Sequence, residues 1–200
     1  MVVSTGHSLA TYEQAQTALA AGIGYGTHLF NAMPPLHQRQ PGLAAALLAD
    51  TAVTVGIIAD GLHVHPVLVK LAWQLLGPTR FNLVTDGMAA LGCPPGQYRL
   101  GPTHVTVDTN SARLADGTLA GSLMPLDQAL RNLMAYTGCT LVEAVATVTA
   151  VPARLLQIDH QKGVIAPGHD ADLVLLTPDG QVVITIIQGE IVWRTMDHRP

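Results

Sequence analysis

Apolar positions along the first 90 residues alternate between the continuous runs of buried strands and the spaced pattern of helices. VVSTG (2–6) is a short β-branched start, and TYEQAQTALAAG (11–22) reads as a helix opening after Ser8 and closing at Gly22. IGYGTHLF (23–30) is a second short strand. PGLAAALLAD (41–50) is a helix with proline just inside its start, where the missing N–H costs nothing. AVTVGIIADG (52–61) has the β-branched density of a strand buried on both faces. HPVLVKLAWQLLG (65–77) is a helix ended by Gly77-Pro78, and FNLVTDG (81–87) is another buried strand. Strands alternating with helices of this length predict βαβ units and a parallel sheet.

After Asp86 the rhythm breaks. Residues 92–120 read as a loop with a small β-hairpin or meander, followed by helices over 124–138 and 140–158. From Gly163 the pattern is all-β, with the turn signal PDG at 178–180. The expected fold class is α/β: the C-terminal half of a (β/α)8 barrel, followed by part of a small β-sandwich. Residues 1–158 would form the partial barrel and 159–200 the sandwich segment. A half barrel leaves two parallel edges open, so the chain is expected to be the C-terminal portion of something larger.

Composition narrows the partners. The chain is 48% hydrophobic but only 4% aromatic, so the core must be built from Ala, Val, Leu and Ile, which favours helices packed on a sheet. Net charge is −4 and no dense Lys/Arg block occurs, which argues against a nucleic-acid partner. Cys93 and Cys139 lack CxxC spacing and are expected to be free thiols in a reduced, cytoplasmic setting. MVVSTGHS lacks the basic and apolar regions of a signal peptide. Asp50, Asp60 and Lys70 interrupt the richest apolar stretch before it reaches the ~18 residues that span a bilayer, so no membrane partner is expected.

In α/β sheets the working residues gather at the carboxyl ends of parallel strands. His7 follows VVSTG, His28 follows IGYGT, His63 follows IIADGL and Asp86 follows FNLVT. A lone histidine at a strand end is ordinarily a structural hydrogen-bonding residue; three histidines and an aspartate at corresponding ends point to a site. Imidazoles suit zinc or iron, and two of them with a carboxylate leave an open position for water. A divalent ion lowers the pKa of such a water towards ~7, and Asp86 could take its proton and deliver it to a leaving group.

In order and spacing, GHSLATYEQAQTALAAGI, THLFNAMPP, QPGLAAAL, GIIADGLHVHP, LVTDGMAALG and DGTLAGSLMPLDQALRNL resemble the N-acetylglucosamine-6-phosphate deacetylases of the metal-dependent amidohydrolase superfamily. The ending KGVIAPGHDADLVLL is similar to the tail of many amidohydrolases, where the chain re-enters a small β-sandwich. The resemblance covers nearly all of the chain, and THLFNAM, ADGLH and GTLAGS carry its narrower part. It implies hydrolysis of N-acetylglucosamine 6-phosphate to acetate and glucosamine 6-phosphate with a divalent metal ion, zinc foremost and iron or cobalt as alternatives. It also implies His7 and His28 as metal ligands and Asp86 as the catalytic aspartate. Asn31 and Ala32 would contact the phosphosugar, and Arg39 would bind its phosphate through a fork of donors. Asp60, Gly61, Leu62 and His63 would bind substrate, and Leu119, Ala120 and Gly121 would form a loop over the sugar. Service of Arg39 or His63 to a neighbouring subunit implies a homodimer.

The same resemblance implies a glutamate metal ligand and a carbonyl-polarising histidine on earlier barrel strands, with no counterparts in these 200 residues. Two histidines alone would hold a metal weakly, so a complementary N-terminal half is an expected partner. Two other readings stay open: an inactive fragment or half of a split enzyme, and a related amidohydrolase acting on another amino sugar or a cyclic amide. Gly87 stands where many relatives carry alanine. His65 reads as a surface or capping residue. His37 lies in a proline-flanked loop near Arg39 and is not expected to contact the phosphate, and His104, His160, His169 and His198 have no partner at ligand spacing. Asp170 and Asp172 read as turn residues, and Glu13 and Glu143 as solvated faces.

Overall fold

Strands β1 (Ser4–Thr5), β2 (Tyr25–Gly26), β3 (Thr54–Ile58) and β4 (Phe81–Val84) form one parallel sheet in the order β1-β2-β3-β4. Helices α1 (Tyr12–Ala20), α2 (Gly42–Ala49) and α3 (Pro66–Arg80) connect them, giving the expected βα alternation. The computed structural model describes residues 1–195; His198 and the end of the expected 159–200 segment lie outside the described residues. β1 and β2 are shorter than the runs predicted over 2–6 and 23–30. Soon after each, the backbone takes a positive φ, at His7 and His28, and leaves the β region.

Local chemistry sets the helix starts. Thr11 caps α1 in a reciprocal box with Gln14, so the helix opens there and not directly after Ser8. Pro41 sits at the N-cap of α2, one position earlier than expected. The helix that follows is apolar nearly all round and buries Leu43, Ala44, Ala46 and Leu47. It lies so close to β2 that a Cβ on Gly26 would come within 2.7 Å of a Leu47 methyl. Leu29, Val55, Ile57, Val69, Phe81 and Leu133 complete one continuous core between sheet and helices.

The helix breaks at Gly77 (φ 62, ψ -178), the end expected from Gly77-Pro78, and a short second turn carries α3 on to Arg80. Arg80 then fastens the helix end to the rest of the fold: its Nε donates to the Val53 carbonyl (3.0 Å) and its Nη2 to that of Leu47 (2.9 Å).

Beyond β4, β5 (Gly96–Leu100), β6 (Thr103–Val107) and β7 (Ala112–Arg113) form the antiparallel meander predicted for 92–120. It has its own small core of Val105, Val107 and Ala112 against Met88, Ala90 and Ala120. α4 (Leu126–Thr137) follows. The single helix expected over 140–158 is two, α5 (Leu141–Ala146) and α6 (Ala150–Leu155). Pro152 cannot donate to the carbonyl four residues back, and the hydroxyls of Thr147 and Thr149 bond the carbonyls of Ala144 (2.6 Å) and Val145 (2.8 Å). At the break the Thr147 carbonyl turns to the open side of β4 and accepts the Leu83 amide. Glu143 is no solvated bystander: it closes a capping box with Thr140 at the start of α5.

The chain ends in an antiparallel sheet of β8 (Leu173–Leu176), β9 (Val182–Ile187) and β10 (Glu190–Arg194), with the PDG turn joining β8 to β9. Asp170 and Asp172 both pair with Lys162, and Asp172 also accepts the Gln188 amide, so they clamp the entry loop onto the β9–β10 hairpin. Arg131 on α4 donates to Asp127 (2.9 Å) and to the Gly180 carbonyl (3.1 Å), tying the tail turn to the helical layer. Among the described residues no helix is long and apolar enough to cross a membrane.

Arg80→Met keeps the aliphatic stem but removes both carbonyl contacts. It is expected to cost about 2 kcal/mol, because hydrogen bonds from a charged donor contribute about 1.5–3 kcal/mol. Urea unfolding checks this as a lowered midpoint with an unchanged slope.

Candidate metal and substrate site

A parallel sheet presents the carboxyl ends of all its strands on one rim. His7, His28, Asp60 and Asp86 each stand two residues beyond the last residue of β1, β2, β3 and β4. Three of them adopt a backbone conformation that non-glycine residues avoid: φ is 46 at His7, 29 at His28 and 51 at Asp86. Such residues cost about 1–3 kcal/mol each and gather where a side chain must be aimed.

The structure brings His7 and His28 together. Their Nε2 atoms are 2.8 Å apart and their rings meet edge to face, with centroids 4.7 Å apart. His28 is buried and its Nδ1 has no hydrogen-bond partner, whereas His7 is exposed. Two convergent imidazole nitrogens, one on a ring otherwise lacking a polar partner, fit two positions of a divalent ion's coordination shell. Among the described residues no third His, Cys, Asp or Glu joins them in a group able to hold a metal.

The turn after His28 has a second feature. Asn31 donates its side-chain amide to the carbonyls of His28 (3.1 Å) and Leu29 (3.2 Å), and its backbone amide to His28 (3.0 Å). Within this turn φ is positive at His28, Phe30 and Ala32 but not at the residues between. This alternation makes a concave run of backbone N–H groups suited to anions. The Phe30, Ala32 and Met33 amides make no hydrogen bond to other described residues. Arg39 lies in the exposed 35–40 loop; its backbone amide donates to His37 (3.3 Å), and its guanidinium has no partner among the described residues. No contact joins it to the histidine pair.

At the end of β3, Asp60 and His63 form a pair, Nδ1 to Oδ2, at 2.6 Å, with side chains 4% and 7% exposed. The other oxygen of Asp60 accepts the amides of Leu62 (2.9 Å) and His63 (2.8 Å). Burial alone would raise the Asp60 carboxyl, but the hydrogen bonds from the His63 ring and from both amides hold it below the usual carboxylate value. Leu62 points to solvent. His65 caps α3, accepting the Val67 amide, as its position suggested.

Asp86 is exposed, and its carboxylate makes no hydrogen bond among the described residues. Its backbone is held from the far side of the meander: the Ser122 amide donates to the Asp86 carbonyl (2.8 Å), and the Met88 amide to that of Ser122 (3.1 Å). Gly121 (φ 83) sits between, and a Cβ there would lie 3.0 Å from the Asp86 carbonyl oxygen. Gly121 thus abuts Asp86, whereas Leu119 bridges to Arg113 and Ala120 is buried in the meander core. Sequence reasoning gave no role to Ser122, the buried polar residue that ends the GTLAGS motif. It also missed Tyr136 and Asn132, four apart on α4. A Cβ on Gly61 would lie 2.9 Å from the Tyr136 hydroxyl, and Asn132 donates to the Ala59 carbonyl at the end of β3 (2.9 Å).

Residues 1–192 match the family model described as "Amidohydrolase family". N-acetylglucosamine-6-phosphate deacetylase of Bacillus subtilis (strain 168) is 37% identical over 193 residues, covering 96% of this chain and 49% of the relative. N-acetylgalactosamine-6-phosphate deacetylase of Escherichia coli O157:H7 is 39% identical over 189 residues, covering 94% of this chain and 50% of the relative. A solved structure of an N-acetyl-D-glucosamine-6-phosphate deacetylase mutant from Mycobacterium smegmatis, in complex with N-acetyl-D-glucosamine-6-phosphate, superposes with a TM-score of 0.90 at 42% identity, over 96% of this chain and 51% of that one. The chain spans about half the length of the curated relatives it matches.

Gly121→Ala is expected to destabilise by about 1–2 kcal/mol through the left-handed backbone and the contact with Asp86, read as a lowered urea midpoint. The Asp60 carboxyl, depressed in the folded state, contributes stability that is complete above its unfolded value of about 4 and is lost as pH falls through its lower folded value. Asp60→Asn should therefore flatten the loss of stability that sets in below about pH 4, measured by urea unfolding across the acid range.

Proposed function

The chain belongs to the amidohydrolase family, which implies a divalent metal ion, and from that premise we propose that it carries the carboxyl-end site of an N-acetylglucosamine-6-phosphate deacetylase. The observation that carries this reading is the His7–His28 pair, Nε2 to Nε2 at adjacent strand ends. The names of the similar proteins support the substrate class.

His7 and His28 would hold the ion, with zinc the best match to two imidazoles and iron or cobalt as alternatives. A divalent ion there supplies Lewis acidity and a more acidic water. Asp86, free of internal hydrogen bonds and aimed by its backbone, removes a proton from the water that attacks the acetamide carbonyl. It then returns that proton to the departing nitrogen, so that acetate and the amine of glucosamine 6-phosphate leave. The amides of Phe30, Ala32 and Met33, shaped by Asn31, together with the unpaired Arg39, offer donors to a phosphate dianion. His63, held by Asp60 beyond Gly61 and Leu62, meets the sugar, and Leu119–Gly121 close beside Asp86.

Residues 1–158 are read as half of a (β/α)8 barrel and 159–200 as part of a β-sandwich. The four-stranded parallel order and the exposed Ile191, Val192 and Trp193 on β10 support this division. A third metal ligand would then come from a complementary N-terminal portion, and the working protein would be a cytoplasmic homodimer. The equal likeness to an N-acetylgalactosamine-6-phosphate deacetylase favours one second reading, in which the preferred sugar is the 4-epimer.

Acetate release from both phosphosugars and from unphosphorylated N-acetylglucosamine tests the assignment, assayed with zinc on the chain alone and extended by any in-frame upstream segment. The expected result is turnover of N-acetylglucosamine 6-phosphate only, by the extended protein and not by the chain alone. Asp86→Asn should lower kcat by about 10²–10⁴-fold, the range of general acid–base contributions. Equal turnover of the unphosphorylated sugar would remove the role given to Arg39 and the 28–33 turn. Separately, His28→Ala should abolish zinc retention measured by equilibrium dialysis.

A further inference from the structure

We propose that Asp60 is a positioning residue that fixes His63 as the tautomer protonated on Nδ1, so that Nε2 faces bound substrate as a hydrogen-bond acceptor for a sugar hydroxyl. The carboxylate is almost fully buried and three of its acceptor positions are filled from within the chain: Oδ1 takes the Leu62 and His63 amides, and Oδ2 takes the His63 ring. It therefore reaches substrate only through the imidazole. A carboxylate is acceptor-only, so the ring nitrogen facing it must carry the proton, and in neutral His63 the lone pair falls on Nε2. Nε2 makes no hydrogen bond to any described residue and is not sealed from solvent, so this acceptor is left for something outside the fold. The pair is held from behind, where the Tyr136 hydroxyl fills the space left by Gly61, and the Asn132 amide bonds the Ala59 carbonyl one residue before Asp60.

This assignment rests on the deacetylase reading for the identity of the substrate, whereas the tautomer follows from the chain's own hydrogen bonds. Asp60→Asn separates them without changing shape. The two backbone amides need an oxygen, so the new NH2 group must face Nδ1, which then accepts, and the proton moves to Nε2. Long-range proton–nitrogen spectra of the full chain, recorded over a pH series until the ring signals stop changing, read the tautomer of the neutral ring directly. The expected result is a bare Nε2 in the wild type and a protonated Nε2 in Asp60→Asn.

Titration with N-acetylglucosamine 6-phosphate should show about tenfold weaker binding by Asp60→Asn, the size of one hydrogen bond reversed, and no further loss when Asp60→Asn is added to His63→Ala. A wild-type ring protonated on Nε2 overturns the proposal, and this spectrum needs no variant to fold. So does a folded Asp60→Asn that keeps the wild-type tautomer, or one that weakens binding equally in the absence of the His63 ring. A wild-type chain with the expected tautomer but no affinity for the phosphosugar would count against the deacetylase reading, and with it against the hydroxyl as the partner of Nε2.

Discussion

The rim of this fold depends on how abruptly its parallel ladder stops. Two residues past each strand the chain must turn outward, and at three of the four ends it does so through a left-handed residue with a side chain. That choice is unfavourable locally and is stabilised only by what surrounds it. The Thr27 amide bonds the Thr5 carbonyl beneath His7 and His28, and the Ser122 amide bonds the carbonyl of Asp86. The strain that these bonds offset turns His7 and His28 to face one another and leaves the Asp86 carboxylate free.

Two different supports carry the histidine pair and Asp86. The histidines stand on β1 and β2, braced by α1 and α2 and by the tight seat of Gly26 against Leu47. Asp86 instead depends on a meander that the chain makes after β4 and folds back through Leu119–Ser122. Ala120 belongs to the small core of that meander, so packing of Val105 and Val107 bears on where Asp86 sits. In the proposed reading, metal retention and proton transfer would thereby be tied to separate packing units.

Much of this was legible in the sequence, for physical reasons. Buried parallel strands announce themselves as β-branched runs, so AVTVGIIADG and FNLVTDG located β3 and β4, and the glycine-flanked residues behind them located the rim. β1 and β2 were overestimated because pattern does not reveal where a ladder yields to positive φ. The helix over 140–158 was read as continuous because its apolar period survives a break made by Pro152 and two threonine hydroxyls. Ser122, Asn132 and Tyr136 carried no signal of their own. Their roles arise from tertiary neighbours, a carbonyl of Asp86, a carbonyl of Ala59 and the empty side of Gly61, which sequence spacing does not encode.

The interruption between α5 and α6 reaches beyond the helical layer. Two amides on the unpaired side of β4 already have partners, Phe81 with the Gly77 carbonyl and Leu83 with that of Thr147. An exposed parallel edge is ordinarily a template on which a second copy can add a strand and begin a fibril. Here a strand that arrived to close a (β/α)8 barrel on that flank would first have to displace these two carbonyls. The break beside Thr147 and Pro152 thus sets how a completing barrel strand would have to dock on that flank.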